Sequence, residues 1–192
     1  HAGRADLVHA LTLNYGQRHG IEINHAHAIA LAAGVVHEAR GISVPFWEQA
    51  PLVSQWRDDS PSSSAAVLPG RNTILVTLAA MYAARVGAVV VWLGCCADDA
   101  AVFADCRLPW LLSAEETLTH GLAPIQLRAP FLGRTKGEIV RDAKKRGGAC
   151  WDAVALTWSC YSPRIGRPCD ECGACSARAR GFEAAGIVDP AR

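Results

Sequence analysis

Four of the eight cysteines in this 192-residue chain fall in one short stretch, Cys160-x8-Cys169-x2-Cys172-x2-Cys175, with Pro168 just ahead of the second. Two-residue spacers let successive thiolates converge on one ion, and a fourth thiolate arriving from a preceding loop completes the tetrahedral all-thiolate set of a zinc site. Four sulfurs fill such a site and leave no position for water, so the expected single zinc is structural. It would clamp the carboxy-terminal segment, Gly181-Phe182-Glu183 included. Close Cys-x2-Cys-x2-Cys runs also ligate iron–sulfur clusters, and spacing by itself leaves both open. Nothing in the chain suggests the oxidising compartment in which these thiols would pair as disulfides.

Cys95, Cys96, Cys106 and Cys150 have no metal spacing. Free cysteine is among the most commonly buried residue types, so core packing is the ordinary use of these four. Cys106 differs, because it stands between Asp105 and Arg107 and a guanidinium can depress a thiol pKa; it is a candidate for substrate contact. His25 and His27 lie two positions apart on an expected helix and point to different faces, which makes them a poor metal pair.

The elements that would hold these groups alternate. Leu7 to Leu13 reads as a strand running into the turn Asn14-Tyr15-Gly16, Ile21 to Ala33 as a helix closed by Gly34, and Val35 to Val44 as a strand stopping at Pro45. From Glu48 to Pro69 the chain has loop chemistry, with Pro51, Pro61 and a Ser62-Ser63-Ser64 run. Thr73 to Arg85 predicts a helix, and Ala88 to Leu93 a Val-rich strand covered on both faces. Pro109 to Leu118 follows as a helix, Ile125 to Leu127 as a short strand, and Thr135 to Arg146 as a helix ending at Gly147-Gly148. This order is the signature of an α/β doubly wound parallel sheet, Rossmann-like, whose ligands gather beyond the carboxyl ends of the strands. The length suits a single domain over residues 1–192, with the zinc-bearing segment over 150–190.

Nineteen basic against eighteen acidic residues, a formal charge of +1, argue against a surface built to neutralise a phosphate backbone. The apolar region from Thr73 to Cys96 is interrupted by Arg85 and Gly87 and reads as buried helix and strand, with no membrane span expected.

Further strings stand out: Asn14-Tyr15-Gly16-Gln17-Arg18-His19, Pro69-Gly70-Arg71-Asn72, Asp105-Cys106-Arg107, Thr135-Lys136-x-Glu138-Ile139, and Leu156-Thr157-Trp158-Ser159-Cys160 leading to Pro168-Cys169. In this order, and with the four-cysteine spacing, they resemble the 7-cyano-7-deazaguanine synthases of queuosine biosynthesis over nearly the whole chain. The resemblance implies an adenine nucleotide α-hydrolase-like fold that begins with a strand, a Ser-Gly-Gly-x-Asp-Ser pyrophosphate loop and a helix. No match to that loop occurs here, and Leu7 to Leu13 corresponds to the second strand of the family fold. His1 to Asp6 carries neither an initiator methionine nor a signal-peptide core, so the chain is expected to start mid-protein. Glycine-rich amides at a helix start are what hold phosphate in such folds, so the chain as it stands is expected not to turn over ATP alone. The family often has Asp where Asn14 stands, and a stretch richer in Gly, Tyr and Pro in place of residues 99–104.

By resemblance the substrate is 7-carboxy-7-deazaguanine, whose carboxylate attacks ATP, with magnesium, to give an acyl adenylate and pyrophosphate. Ammonia then displaces AMP to form an amide, and a second activation followed by elimination yields the nitrile. Arg71 and Lys136, at expected helix starts, are placed near the phosphates, where a fixed cation adds transition-state stabilisation; a Lys136 to Glu138 ion pair is the structural alternative. Asn72 is a second candidate there, or a helix cap. Asp105 suits the N–H donors of a guanine-like edge and Arg107 a carboxylate, unless the two simply pair with each other. Asp98, with Asp99, follows a strand end where ligands gather, or caps a helix, and Tyr15, Gln17, Arg18 and His19 would face the nucleotide side of the sheet, or form a turn of incidental polarity.

The resemblance further implies a cytoplasmic homodimer acting on small molecules, without direct nucleic-acid contact. Two other readings stay open: another ATP-cleaving tRNA- or carboxylate-modifying enzyme with an iron–sulfur cluster, and a non-enzymatic zinc module binding through Arg164, Arg167, Arg178 and Arg180.

Overall fold

The structure, a computed structural model, describes residues 7–48, 50, 52–53 and 68–191. Two compact units divide the chain, one formed by residues 1–66 with 140–192 and the other by residues 67–139. Both are α/β with parallel strands, in agreement with the expected class.

In the first unit β1 (His9–Asn14) and β2 (Val36–Gly41) pair in parallel, His9 opposite Val36 and Asn14 opposite Gly41. Parallel neighbours need a crossover, and α1 (Ile21–Ala32) supplies it. The turn between β1 and α1 is fixed by its own side chains. Asn14 Oδ1 accepts the Gly16 N–H at 3.0 Å, Gln17 Oε1 accepts the Tyr15 N–H at 2.9 Å, and Gly16 takes a φ of 80° that a side chain would strain. A 3-10 turn at Pro45–Trp47 buries Trp47 edge-on to Tyr15, ring centroids 5.5 Å apart. The loop expected over 48–69 lies for the most part outside the described residues.

The second unit is organised on α2 (Arg71–Val86), whose Val76, Ala80 and Ala83 recur at helical spacing and are buried. Gly87, at a φ of 76°, ends the helix and returns its N–H to the Ala83 and Ala84 carbonyls. There β3 (Val90–Trp92) pairs in parallel with β4 (Gln126–Arg128), and α4 (Leu108–Gly121) covers them together with α2. Val76, Ala80, Ala83, Val91, Leu111, Leu118, Ile125 and Leu127 form one core. At about 1.5–3 kcal/mol for each large apolar side chain, that core is what holds the strand ends in place.

The two-sided burial expected of 88–93 is not what the unit shows. Val91 is buried, but Val89, just ahead of β3, is 62% and Trp92 68% exposed, so the run is not covered along its whole length.

Among the described residues three helices go beyond the expected set: α3 (Ala97–Val102), α6 (Gly148–Ala155) and α7 (Gly173–Ala185). The first two bury no residue fully and so leave no periodic apolar stripe in the sequence. The intervening α5 (Lys136–Arg146) begins in the second unit and passes into the first after Ile139.

Candidate functional site

Among the described residues two groups of side chains stand out for chemistry, one in each unit. In the first unit Cys160, Cys169, Cys172 and Cys175 bring their Sγ atoms within 4.8 Å of one another. All are free thiols, and Cys160 and Cys175 are 1% exposed. A zinc–sulfur bond of about 2.3 Å puts tetrahedral sulfurs about 3.8 Å apart. The Cys160 and Cys169 sulfurs stand 3.5 Å apart, so the cage fits one tetrahedral ion.

Backbone amides already face the sulfurs. Ser162 and Cys169 donate to Cys160 Sγ at 3.3 and 3.2 Å, Cys172 to Cys169 Sγ at 3.3 Å, and Cys175 to Cys172 Sγ at 3.5 Å. Burial opposes ionisation of Cys169, but the Glu171 and Cys172 amides and the neighbouring thiols outweigh it and bring its pKa down to about 7. Burial pushes the Cys160 thiol up, and burial with the Cys172 contact pushes Cys175 up, so a bound cation would have to displace those protons.

The chain folds this way locally because of two turns. Arg164 and Arg167 exchange backbone hydrogen bonds at 2.9 and 3.0 Å around Ile165-Gly166, both at positive φ, and this hairpin returns the chain from Cys160 towards Cys169. Asp170, at a φ of 62°, then turns it into α7, whose first turn carries Cys175. Downstream, Arg178 forms a fork on Asp189 at 2.5 and 2.8 Å and reaches Thr157 Oγ1 at 2.7 Å, with both side chains at most 10% exposed. It also lies over the ring of the buried Phe182. Arg164 pairs with Glu171, so two of the four tail arginines, Arg164 and Arg178, stand in ion pairs.

In the second unit the segment after β3 meets the start of α5. Lys136 Nζ stands 2.6 Å from Asp99 Oδ1 and 3.1 Å from Cys96 Sγ, and its backbone N–H donates to Asp98 Oδ2 at 2.6 Å. Asp99 Oδ2 in turn accepts the Cys96 N–H at 3.1 Å and caps α3. Burial would draw Lys136 down, but Asp99 and Cys96 outweigh it and hold the ammonium above the ordinary lysine value. Burial likewise opposes the charge on Asp99, and Lys136 with Cys96 more than compensates, keeping the carboxyl below the ordinary aspartate value. Cys96, by contrast, is raised, first by its own burial.

The Lys136 to Glu138 pair weighed from the sequence does not form. Glu138 Oε2 accepts instead from Thr135 N and Oγ1 at 2.8 and 3.0 Å, a capping box that the Thr135-x-x-Glu138 spacing encodes. Cys96, assigned to core packing, is buried as expected, yet its sulfur touches the lysine. Its spacing of three from Asp99 is the signal that could have pointed to it.

Close by in the same unit, Asn72 clamps the 3-10 turn Ala104–Cys106. Its N–H reaches Asp105 Oδ2 at 3.4 Å, and its Nδ2 reaches Asp105 O and Cys106 Sγ, each at 3.3 Å. Arg107 gives its Nε to Ala100 O at 2.8 Å, leaving the rest of the exposed guanidinium towards solvent, and no Asp105–Arg107 bridge is formed. Arg71 sits half-buried at the first position of α2.

The residues after β1 are placed differently. Tyr15 is packed on Trp47, and Gln17 is buried and spends its Nε2 on Glu22 at 2.9 Å. Arg18 donates its backbone N–H to Leu52 O at 2.8 Å, and His19 is buried 3.4 Å from Glu22 Oε1 and against the Tyr161 ring. These side chains shape the turn itself.

Comparison with known proteins supplies a family for the chain. The family model described as Queuosine biosynthesis protein QueC matches residues 2–186. The 7-cyano-7-deazaguanine synthase of Marinobacter nauticus is 33% identical over 95% of this chain and 84% of its own length. That of Archaeoglobus fulgidus is 35% identical over 95% of the chain and 78% of its own length, and that of Cupriavidus taiwanensis 36% identical over 96% and 86%.

Proposed function

From the premise that this chain belongs to the QueC family of queuosine biosynthesis proteins, we propose that it serves the ATP-dependent conversion of 7-carboxy-7-deazaguanine and ammonia to 7-cyano-7-deazaguanine. The observation that carries the reading is the family match across residues 2–186 with relatives of that one activity, spanning both the polar cluster and the cysteine cage.

The reaction needs an anion-stabilising group at a transferring phosphoryl centre and a holder for a purine-like carboxylate. Lys136 is our candidate for the first, since Asp99 and Cys96 engage two of its three N–H donors and leave one for a phosphate oxygen of magnesium-bound ATP. Arg71, at a helix start, is assigned to the same anion. Asp105, steadied by Asn72, would accept from the guanine-like edge, and the outward fork of Arg107 would take the carboxylate. Asp98 we assign to the site as the residue that fixes the Lys136 backbone. Tyr15, Gln17 and Arg18 complete the set as the frame of the β1 turn.

For the metal we propose zinc, held by Cys160, Cys169, Cys172 and Cys175. An iron–sulfur cubane spreads its cysteines over separate irons, whereas the compact sulfur cage suits a single ion. Zinc here would tie the hairpin to α7 and leave the chemistry to other residues. One α/β domain, a homodimer and a cytoplasmic location complete the proposal; no described helix is long and apolar enough to cross a membrane.

The test is elemental analysis together with ATP- and ammonia-dependent formation of the nitrile from 7-carboxy-7-deazaguanine, followed by mass spectrometry, on the chain and on a form extended at its amino terminus. Zinc at one per chain with nitrile formation supports the proposal. A zinc-loaded extended protein that makes no nitrile removes the function and leaves the metal assignment standing.

A further inference from the structure

In the first unit α1 packs against the β1–β2 pair and brings together two histidines that neither the metal cage nor the lysine cluster uses. His37 stands opposite Ala10 in the parallel ladder, and Thr12, two residues further along β1, projects to the same side of the sheet. His37 Nε2 lies 2.9 Å from Thr12 Oγ1, and its Nδ1 lies 3.1 Å from Nδ1 of His27 on α1, with the two ring centroids 5.2 Å apart. His27 is exposed and His37 half-buried. His25 is turned elsewhere, with its Nδ1 2.8 Å from Leu156 O and its ring stacked on Trp158 at 5.0 Å. The partner that helical spacing denies to His27 within α1 is thus supplied by β2. We propose that His27 and His37 form a second metal site, a two-histidine seat for a divalent transition-metal ion of the nickel, copper and zinc kind, with water completing its coordination.

The separation of the two nitrogens suits a shared ion. Imidazole nitrogens bound at about 2.0–2.1 Å stand about 2.9 Å apart when they subtend a right angle at the metal, and about 3.3 Å apart at the tetrahedral angle. The observed 3.1 Å falls between these values. With its proton on Nε2, donated to Thr12 Oγ1, His37 presents the Nδ1 lone pair towards His27. An ion takes the place of the N–H···N proton between the rings. His27 then adopts its other neutral tautomer, with the N–H on Nε2, and a turn about its soft terminal torsion aims its Nδ1 lone pair at the ion.

Thr12 acts from behind the ligand, because its hydroxyl fixes which His37 nitrogen faces the metal. Two neutral imidazoles favour nickel, copper and zinc over magnesium and calcium, which take oxygen ligands. Two protein ligands hold an ion less tightly than four thiolates do, so the cage fills first and the histidine seat exchanges its ion with the medium. When filled it ties α1 to β2. The site rests on these two elements alone and is independent of the reaction proposed above.

The experiment starts from protein loaded with one zinc per chain and titrates nickel chloride into it by isothermal titration calorimetry, with magnesium chloride as the control. One nickel per chain beyond the zinc is expected, and the paramagnetic ion should broaden the ring proton resonances of His27 and His37 ahead of that of His25. His27→Ala and His37→Ala should each remove this binding. Thr12→Val, which deletes the acceptor for His37 Nε2 and keeps a β-branched shape, should weaken it about tenfold. Because His27 is exposed, its replacement leaves the fold in place, which circular dichroism checks. Nickel should raise the denaturation midpoint of the wild type and leave that of His27→Ala unchanged. Zinc content is followed throughout, so that displacement from the cage is seen separately. No stoichiometric nickel beyond the zinc, nickel binding that survives unchanged in His27→Ala, or magnesium binding as tight as nickel binding overturns the proposal.

Discussion

The two candidate regions are assembled on opposite principles. The cysteine cage draws its ligands from a stretch of the chain between Cys160 and Cys175, so turns and one helix start suffice to build it. The lysine cluster joins Cys96 and Asp99 to Lys136 across separations of 40 and 37 residues, and a strand pair with its covering helices must form first. A local site fails when its ligands are lost, whereas a distributed one fails in graded steps as individual contacts are removed.

The largest expected effect follows from emptying the cage. Structural zinc contributes on the order of 10 kcal/mol in small metal-dependent folds, so chelation of the metal or Cys175→Ala should release most of residues 157–191. Hydrogen exchange should show lost protection at the Cys169, Cys172 and Cys175 amides, and retained protection in α2 would confirm that the cage is local. Next comes Arg178→Ala, which strands the Asp189 carboxylate in a site at most 10% exposed. About 3–5 kcal/mol should be lost in urea denaturation, because breaking a buried pair leaves an uncompensated charge. Loss well below that range would mean the metal alone secures this region.

Legibility followed the same division. The four cysteine ligands could be read from spacing, because ligand convergence within a short segment is a local property. So could the cores of the strongly patterned elements: α2 was expected at 73–85 and runs Arg71–Val86, and α4 was expected at 109–118 and runs Leu108–Gly121. What escaped was tertiary. Nothing in the sequence says that Lys136 meets Asp99 in place of Glu138, since both partners lie within reach of plausible pairing and only the fold chooses. The Cys96 sulfur resembled a core thiol for the same reason, its spacing of three from Asp99 being the one local sign of another use. At Val89 and Trp92 a Val-rich run looked buried on both faces, and the exposure of these two residues is set by the tertiary packing around them.

On the distributed side the strongest expected change is in chemistry. Lys136→Met should lower nitrile formation about 100-fold, the usual scale for removing one group that stabilises charge in a transition state. The check is kcat/KM beside a denaturation midpoint. A fall in turnover that simply tracks the fraction unfolded would reduce Lys136 to a tie between the start of α5 and α3.

Asp99→Asn gives the smallest change and the cleanest contrast. Asparagine keeps an oxygen to accept the Cys96 N–H, so the cap on α3 survives and only the ion pair is removed. For a half-exposed pair about 1 kcal/mol of stability should be lost at neutral pH. The sign of its pH dependence comes from both partners. Asp99 is held below the ordinary aspartate value, so its contribution is present above that value and fades only as pH falls through the lowered one. Lys136 is held above the ordinary lysine value, so its contribution is present below that value and fades only as pH rises through the raised one. The difference between wild type and variant should therefore be flat from mild acid to mild alkali. The cage behaves otherwise, since its thiolates must shed protons to hold a metal and mild acid weakens that hold. Urea denaturation at a series of pH values, with metal content read at each, separates the two: a wild-type advantage over Asp99→Asn that already shrinks in mild acid, in step with metal loss, would show that the lysine cluster depends on the cage.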